Sequence, residues 1–303
     1  MAHNARAAAA ISGSLAKPDA VRVHATSWRP SDARVTLNLT LDACVVPSSE
    51  GRGSCRVDKA HVVCLDEFLD GDCCDAILAR LTGGAAQAGT GATPPQALWE
   101  RRTADAPDKP CTWGLKDAAM RALEKEPPAA VVELQSRLSL LYPEFVVAHQ
   151  PDLSPSPGAD VDASAGVDAD SGAGTAAVCE RFVANAATAG DVFSWHVDAD
   201  PSALPHGAWT AEHGHYINRE VAKPLFVSCL LYLDASWPHD HDAETLFLDP
   251  PTGTGIFVRP RRGRVVLMDG DVTHRVSAPS TRAGRPRYSL VWKVRTHGGR
   301  ESP

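Results

Sequence analysis

From Val178 onward the sequence reads as short apolar segments cut by turns, and this pattern limits the fold more than any other feature. The segments fall at about 179–184, 193–197, 225–233, 244–248, 255–258, 264–268, 272–276 and 287–294. Eight short strands with no long helix between them predict a β-sandwich or jelly roll. Upstream the apolar period changes. After Asp70, which can cap a helix, Cys74, Ile77, Leu78 and Leu81 fall on one helical face before Gly83-Gly84 stops it. Two more helices are expected, one over 115–125 ended by Pro127-Pro128, and one over 129–141 with Val131, Leu134, Leu138 and Leu141 on a shared face. Helices ahead of the strands, packed on one sheet face, make an α+β arrangement around a double-stranded β-helix (jelly-roll) core.

The main domain is expected over 59–297, with 1–58 as an N-terminal extension. Residues 1–20 read as disordered, and Arg34 to Asp42 alternates apolar and polar residues as a strand does. The Gly/Pro/Ala-rich stretch 84–112 reads as a mobile loop. The acidic, aromatic-free stretch at about 150–176 reads as a disordered insertion, because it holds too little apolar surface to offset the entropy of ordering. A net charge of −7 gives no footprint for non-specific nucleic-acid binding. No apolar run approaches the roughly 18 to 20 residues that span a bilayer. Eight cysteines without a CxxC spacing read as reduced thiols, which suits a cytoplasmic protein. The Ala/Ser/Arg-rich N-terminus leaves an organelle transit peptide as the weaker alternative.

The chemistry starts with His196-Val197-Asp198. On an extended segment residues i and i+2 share a face, so this imidazole and carboxylate can hold one metal. Alone the pattern is common by chance among 12 histidines. His274 follows the apolar stretch ending at Met268 and the turn Asp269-Gly270, and lies 78 residues after His196, room for several intervening strands. Two histidines and one carboxylate on one face of an octahedron leave positions open, the donor set of non-haem Fe(II) oxygen chemistry. Farther on, Arg287 and Ser289 share one face of a strand while Tyr288, Leu290 and Trp292 share the other. A buried arginine beside a hydroxyl suits a carboxylate, which guanidinium can grip with two parallel bonds. Tyr232 in LFVSCLLYL could supply a further hydrogen bond.

HxD, a distal histidine, and Arg-x-Ser 13 residues after it resemble the Fe(II)/2-oxoglutarate-dependent dioxygenase superfamily. VVCLDEFLDGDCCDAIL, VSCLLYLDASWP, AETLFLD and GRVVLMDGDVTHRVSAP resemble its prolyl 4-hydroxylase-like branch, over roughly 60–296. The resemblance implies iron at His196, Asp198 and His274, and the 2-oxoglutarate C5 carboxylate at Arg287 with Tyr232 and Ser289. It implies Fe(II) as metal, 2-oxoglutarate and O2 as co-substrates, and ascorbate as a candidate reductant. The reaction implied is hydroxylation of a C–H bond, of a peptidyl prolyl or other protein side chain first, with release of succinate and CO2. A small molecule or free amino acid is the alternative substrate. Demethylation of a nucleic-acid base, or a non-catalytic jelly-roll binding module, ranks below both. The branch commonly places its basic residue nine or ten positions after the distal histidine. Arg282 and Arg285 are nearer that count, but Arg287 lies inside the apolar strand.

Other eye-catching residues have plainer readings. His213, His215, His239 and His241 sit in loop-like sequence and read as solvated, though substrate or metal contact by either pair stays open. Asp200 reads as a turn residue, Trp195, Trp292 and Phe226 as core, and Arg259, Arg261, Arg262 and Arg264 as a solvated turn around Gly263. Nothing in the sequence specifies an oligomeric state.

Overall fold

Alternation along the central strands sorts the interior into two layers. The computed structural model describes residues 21, 24–45, 56–84, 92–102, 112–151, 153, 181–191 and 193–298, and these form twelve strands and four α-helices. The strands are β1 (Arg34–Val45), β2 (Arg56–Asp66), β3 (Trp99–Arg102), β4 (Thr112–Leu115), β5 (Phe145–His149), β6 (Phe182–Ala187), β7 (Leu225–Tyr232), β8 (Thr245–Asp249), β9 (Thr254–Val258), β10 (Val265–Asp269), β11 (His274–Val276) and β12 (Arg287–Gly298). The helices are α1 (Gly71–Thr82), α2 (Asp117–Lys125), α3 (Ala129–Leu141) and α4 (Ala208–His213).

Cys229, Leu231, Val265, Leu267, Leu290, Trp292 and Val294 pack against Ile77, Leu81, Met120, Val131 and Leu134 of the helices. Their strand neighbours Leu230, Tyr232, Val266, Met268 and Val291 point the other way and meet Phe247 and Val258 of a second sheet. A period of two along each strand therefore builds one layer against helices and one between sheets.

The large sheet runs β1-β2-β10-β7-β12-β6-β4-β3, with β5 also on β12, and the small one β11-β8-β9. All strand pairs are antiparallel. From β6 onward the chain alternates between the two: β6 large, a single bridge at His196 small, β7 large, β8 and β9 small, β10 large, β11 small, β12 large. That winding is a double-stranded β-helix, and with α1–α3 on the outer face the fold is α+β. Helix α1 starts where expected, its Asp70 cap accepting from the Cys73 N–H at 2.8 Å, and stops at Gly83 in the left-handed region (φ 64°).

Several local expectations change. The segment 193–197 is no strand: among the described residues only the His196–His274 bridge ties it to a sheet. The stretch 84–112 is not wholly a loop, since β3 lies within it and pairs with β4, and the buried Trp99 indole donates to Leu81 O at 2.9 Å. With Leu115 in β4, α2 begins at Asp117. A helix, α4, lies inside the stretch following HxD, where none was expected. Strands β5 and β6 lie end to end along β12, so the chain leaves at Gln150, whose N–H donates to Lys293 O, and returns at Arg181, whose carbonyl accepts from Lys293 N. The expected disordered segments at 1–20 and about 150–176 fall outside the described residues, apart from 150, 151 and 153. Residues ahead of β1 pack on the core: Trp28 is buried edge-on to Phe68, with ring centroids 5.3 Å apart.

The arginine run is only partly solvated, Arg261 being exposed and Arg264 largely covered. Arg264 and Arg261 both grip the buried Asp66 (2.5 and 2.9 Å), and Arg262 pairs with Asp75. Burial pushes the Asp66 carboxyl up, but hydrogen bonding and charge from Arg264 and charge from Arg261 outweigh it and hold it below the usual range. Within this run Gly263 has φ +72°, and a Cβ there would lie 2.1 Å from Leu69 O. Gly263→Ala is therefore expected to cost well over about 1 kcal/mol in urea unfolding. Gly253→Ala, at φ +65° with open space around the new methyl, should cost clearly less. Equal losses would show that the left-handed backbone, not the close approach, sets the cost.

Candidate metal centre

The two halves of the site meet through the backbone. His196 N donates to His274 O at 3.0 Å and His274 N to His196 O at 2.9 Å, so one antiparallel bridge sets both imidazoles side by side. Their ring centroids are 4.4 Å apart. Asp198 N and Ala199 N both donate to Gly270 O (2.9 and 3.0 Å), which brings the carboxylate segment against the turn between β10 and β11. Gly270 permits this approach, because a Cβ there would lie 2.7 Å from Ala199 O.

Both histidines are oriented the same way. Nδ1 of His196 lies 2.9 Å from Ser194 O, and Nδ1 of His274 lies 2.9 Å from Val272 O. A carbonyl can only accept, so Nδ1 carries the proton and each Nε2 keeps a lone pair for a metal. Nε2 of His196 lies 3.9 Å from Asp198 Oδ1, and Nε2 of His274 lies 3.9 Å from Asp198 Oδ2. All three ligand atoms fall within 4.8 Å of one another, and among the described residues no other such cluster of His, Cys, Asp or Glu is found. Burial holds His274 below the usual imidazole pKa against the pull of Asp198, which favours the neutral ligand form. Burial opposes ionisation of Asp198, but Lys293 and then His274 reverse this and hold the carboxyl far below its usual value. Neutral imidazoles and an ionised carboxylate are the forms that bind metal.

The turn carrying this site is braced by the segment that follows HxD. Arg219 reaches Asp271 through two bonds (2.7 and 2.6 Å) and Asp269 at 3.1 Å. Asn218 brackets the backbone of Phe226, accepting from its N–H at 2.7 Å and donating to its carbonyl at 2.9 Å. Trp209 and Tyr216 pack on Phe226 beside Ala199.

Arg287 and Ser289 lie together on the inter-sheet face, 1% and 0% exposed. Among the described residues, Nε and Nη1 of Arg287 and Oγ of Ser289 have no hydrogen-bond partner. The Arg287 guanidinium sits 5.3 Å from the Tyr232 ring, whose hydroxyl is 2.6 Å from Thr245 Oγ1. A buried guanidinium with idle donors is costly unless an anion meets it. The donor set thus fits a divalent cation, and the Arg287–Ser289 pair fits a carboxylate.

Close by, Asp234 accepts from Tyr288 N at 2.8 Å, and burial pushes its carboxyl up to about 6 despite that bond and the nearby Arg285 and Arg287. A carboxyl raised on folding contributes stability that is full below its unfolded pKa and lost as pH rises through about 6. Asp234→Asn should therefore flatten the stability profile between about pH 4 and 6 and gain up to about 3 kcal/mol at pH 7. Thermal melts across that range test it; an unchanged slope would refute the assignment to Asp234.

Of the remaining sequence candidates, Arg285 bonds to Ser236 O and covers Trp237, away from the buried face. Arg282 is exposed beside Asp240. His213 packs on Trp209 (4.1 Å), His215 lies 2.9 Å from Leu204 O, and His239 and His241 sit in an outer 3-10 turn. Asp200 closes a turn on Ser202. Trp292 and Phe226 are core, whereas Trp195 is 40% exposed under Arg275. Sequence reading missed Lys293, which ion-pairs with Asp198, and Ser228, which donates to Asp198 at 2.5 Å. Their signal was present: each is a polar residue inside an apolar strand, on the face that points between the sheets.

No family model and no curated protein matches this chain. Among solved structures, it is similar to a prolyl 4-hydroxylase from Phytophthora capsici (20% identity, TM-score 0.39), covering 79% of this chain but only 59% of the other. It is also similar to a prolyl hydroxylase from Trichoplax adhaerens in complex with a hypoxia inducible factor peptide fragment (12% identity, 78% and 83% covered, TM-score 0.41). A third is the non-heme alpha ketoglutarate dependent epimerase SnoN from nogalamycin biosynthesis (14%, 78% of each chain, TM-score 0.41). Likeness at this level carries no weight for function, which rests on the site itself.

Proposed function

We propose that this protein is an Fe(II)- and 2-oxoglutarate-dependent dioxygenase that hydroxylates a C–H bond. One observation carries the reading: a His196–Asp198–His274 triad and a buried Arg287 with idle donors share the space between the two sheets. The metal would be held by Nε2 of both histidines and an Asp198 oxygen, with the remaining positions free of protein ligands. When bound, Fe(II) with 2-oxoglutarate and O2 supplies the oxidising chemistry, coupling hydroxylation to loss of CO2 and formation of succinate.

The chain's own residues bind and orient. Arg287 and Ser289 would grip the distal carboxylate of 2-oxoglutarate, with the Tyr232 hydroxyl available once Thr245 donates to it. Val291, Leu230 and Val266 line the same face and keep water out. The two Nδ1–carbonyl bonds keep both imidazoles aimed at the metal position.

A protein side chain, prolyl first, is the substrate we favour from the sequence resemblance. One observation favours a compact small molecule or free amino acid instead. The segment bearing Trp209 and Tyr216 packs beside Ala199, next to HxD, and Arg219 and Asn218 hold it to Asp271 of the metal-bearing turn, a wall beside the metal position that suits a compact substrate. Anaerobic addition of Fe(II) and 2-oxoglutarate should give a weak visible charge-transfer band, and its absence would sink the iron reading. Screening peptides, free amino acids and nucleotides for succinate release with a +16 Da product then identifies the substrate class.

A further inference from the structure

The carboxylate ligand has a support of its own, built from two strands. β12 and β7 pair so that Lys293 lies directly opposite Ser228, and both side chains enter the inter-sheet space. They divide one carboxylate: the Lys293 ammonium pairs with Asp198 Oδ1, and the Ser228 hydroxyl donates to Oδ2 at 2.5 Å. Lys293 also reaches Ser228 Oγ at 3.4 Å, closing the triangle. Ser228 is 1% and Lys293 8% exposed, and a lysine this buried is rarely found without a charged partner.

We propose that Lys293, aided by Ser228, is a positioning residue that fixes the Asp198 carboxylate for metal binding. This rests on the iron reading of the site. The need for it follows from the fold. Asp198 sits on a segment tied to the small sheet by the single His196 bridge, so no strand ladder orients its side chain. Backbone bonds to Gly270 fix where the residue is, and leave the torsions of the carboxylate open. A carboxylate has about four lone-pair sites, so one bond from Lys293 and one from Ser228 still leave each oxygen able to ligate a metal. The same contacts keep the group 3.9 Å from both Nε2 atoms. Partners that orient a ligand typically account for about 10- to 100-fold in metal affinity.

The test is Co(II) titration, followed by visible absorbance, of wild type, Lys293→Met, Lys293→Arg and Ser228→Ala, with the melting temperature of each metal-free protein measured alongside. Lys293→Met should weaken Co(II) binding by about 10- to 100-fold. Lys293→Arg should recover part of that loss, Ser228→Ala should lose less than Lys293→Met, and 2-oxoglutarate affinity at saturating Co(II) should stay within about twofold. A purely structural lysine would lower the melting temperature and leave Co(II) affinity alone. Wild-type or tighter Co(II) binding by Lys293→Met overturns the proposal. If that variant does not fold, Lys293→Gln and Ser228→Ala carry the test, and wild-type affinity in both overturns it. If wild type itself binds no Co(II), the iron reading falls and takes this proposal with it.

Discussion

His274→Ala is expected to abolish divalent-metal binding while leaving the protein folded. The backbone contacts that tie His274 into the fold, two bonds to His196 and pairing with Phe247 of β8, survive in alanine, and only the ring's bond to Val272 O is lost. Its ring, 6% exposed as a residue, meets the His196 ring and approaches Phe247, so truncation leaves a modest void between the sheets. What disappears is one of three ligand atoms. A supporting residue costs up to about 100-fold in metal affinity, and loss of a direct ligand should exceed that. Co(II) titration beside a thermal melt measures both quantities. His213→Ala and His241→Ala, outside the triad, should bind metal as wild type does. Co(II) affinity within about tenfold of wild type in His274→Ala would remove the triad from consideration.

What could be read from the sequence was what depends on local period. The alternation in Arg287-Tyr288-Ser289-Leu290-Val291-Trp292 assigned each residue to its face, and the structure keeps that assignment: Arg287 and Ser289 between the sheets, Leu290 and Trp292 against the helices. The apolar stretch before His274 was legible as a strand for the same reason. Contacts that close across the sequence were not legible. Lys293 of β12 meets Asp198 on a segment outside the strand ladders, and Arg264 meets Asp66 because β10 pairs with the distant β2, so both contacts exist only in the wound fold. Period two tells which face a lysine occupies and is silent about what stands opposite. The segment around HxD misled in another way: it has a strand's composition, yet Asp198 and Ala199 spend their N–H groups on Gly270 rather than on a ladder. Strand β3, four residues long between Gly/Pro-rich stretches, is too short for its alternation to register.

Arg287→Met should separate two effects that usually fall together. A buried guanidinium whose Nε and Nη1 lack partners is a cost to the folded protein, and burial already pushes its pKa below the ordinary arginine value. An apolar side chain of similar length relieves that cost, so without 2-oxoglutarate the variant should melt no lower than wild type. Co-substrate binding should move the opposite way. Removing one partner of a buried charge pair costs about 3–5 kcal/mol, so the 2-oxoglutarate Kd measured on Co(II)-loaded protein should rise by roughly 100-fold or more. Arg285→Met is the matched control, because Arg285 spends its donors on Ser236 O and Asp234 and stacks over Trp237. Its Kd should change less than about threefold, because Arg285 covers Trp237 away from the buried face that carries Arg287. Equal effects at the two positions would displace Arg287 from the carboxylate. A lower melting temperature in Arg287→Met with an unchanged Kd would make its charge part of the fold instead. The combination of retained stability and lost affinity is the outcome that a cation held for a ligand produces and a structural cation does not.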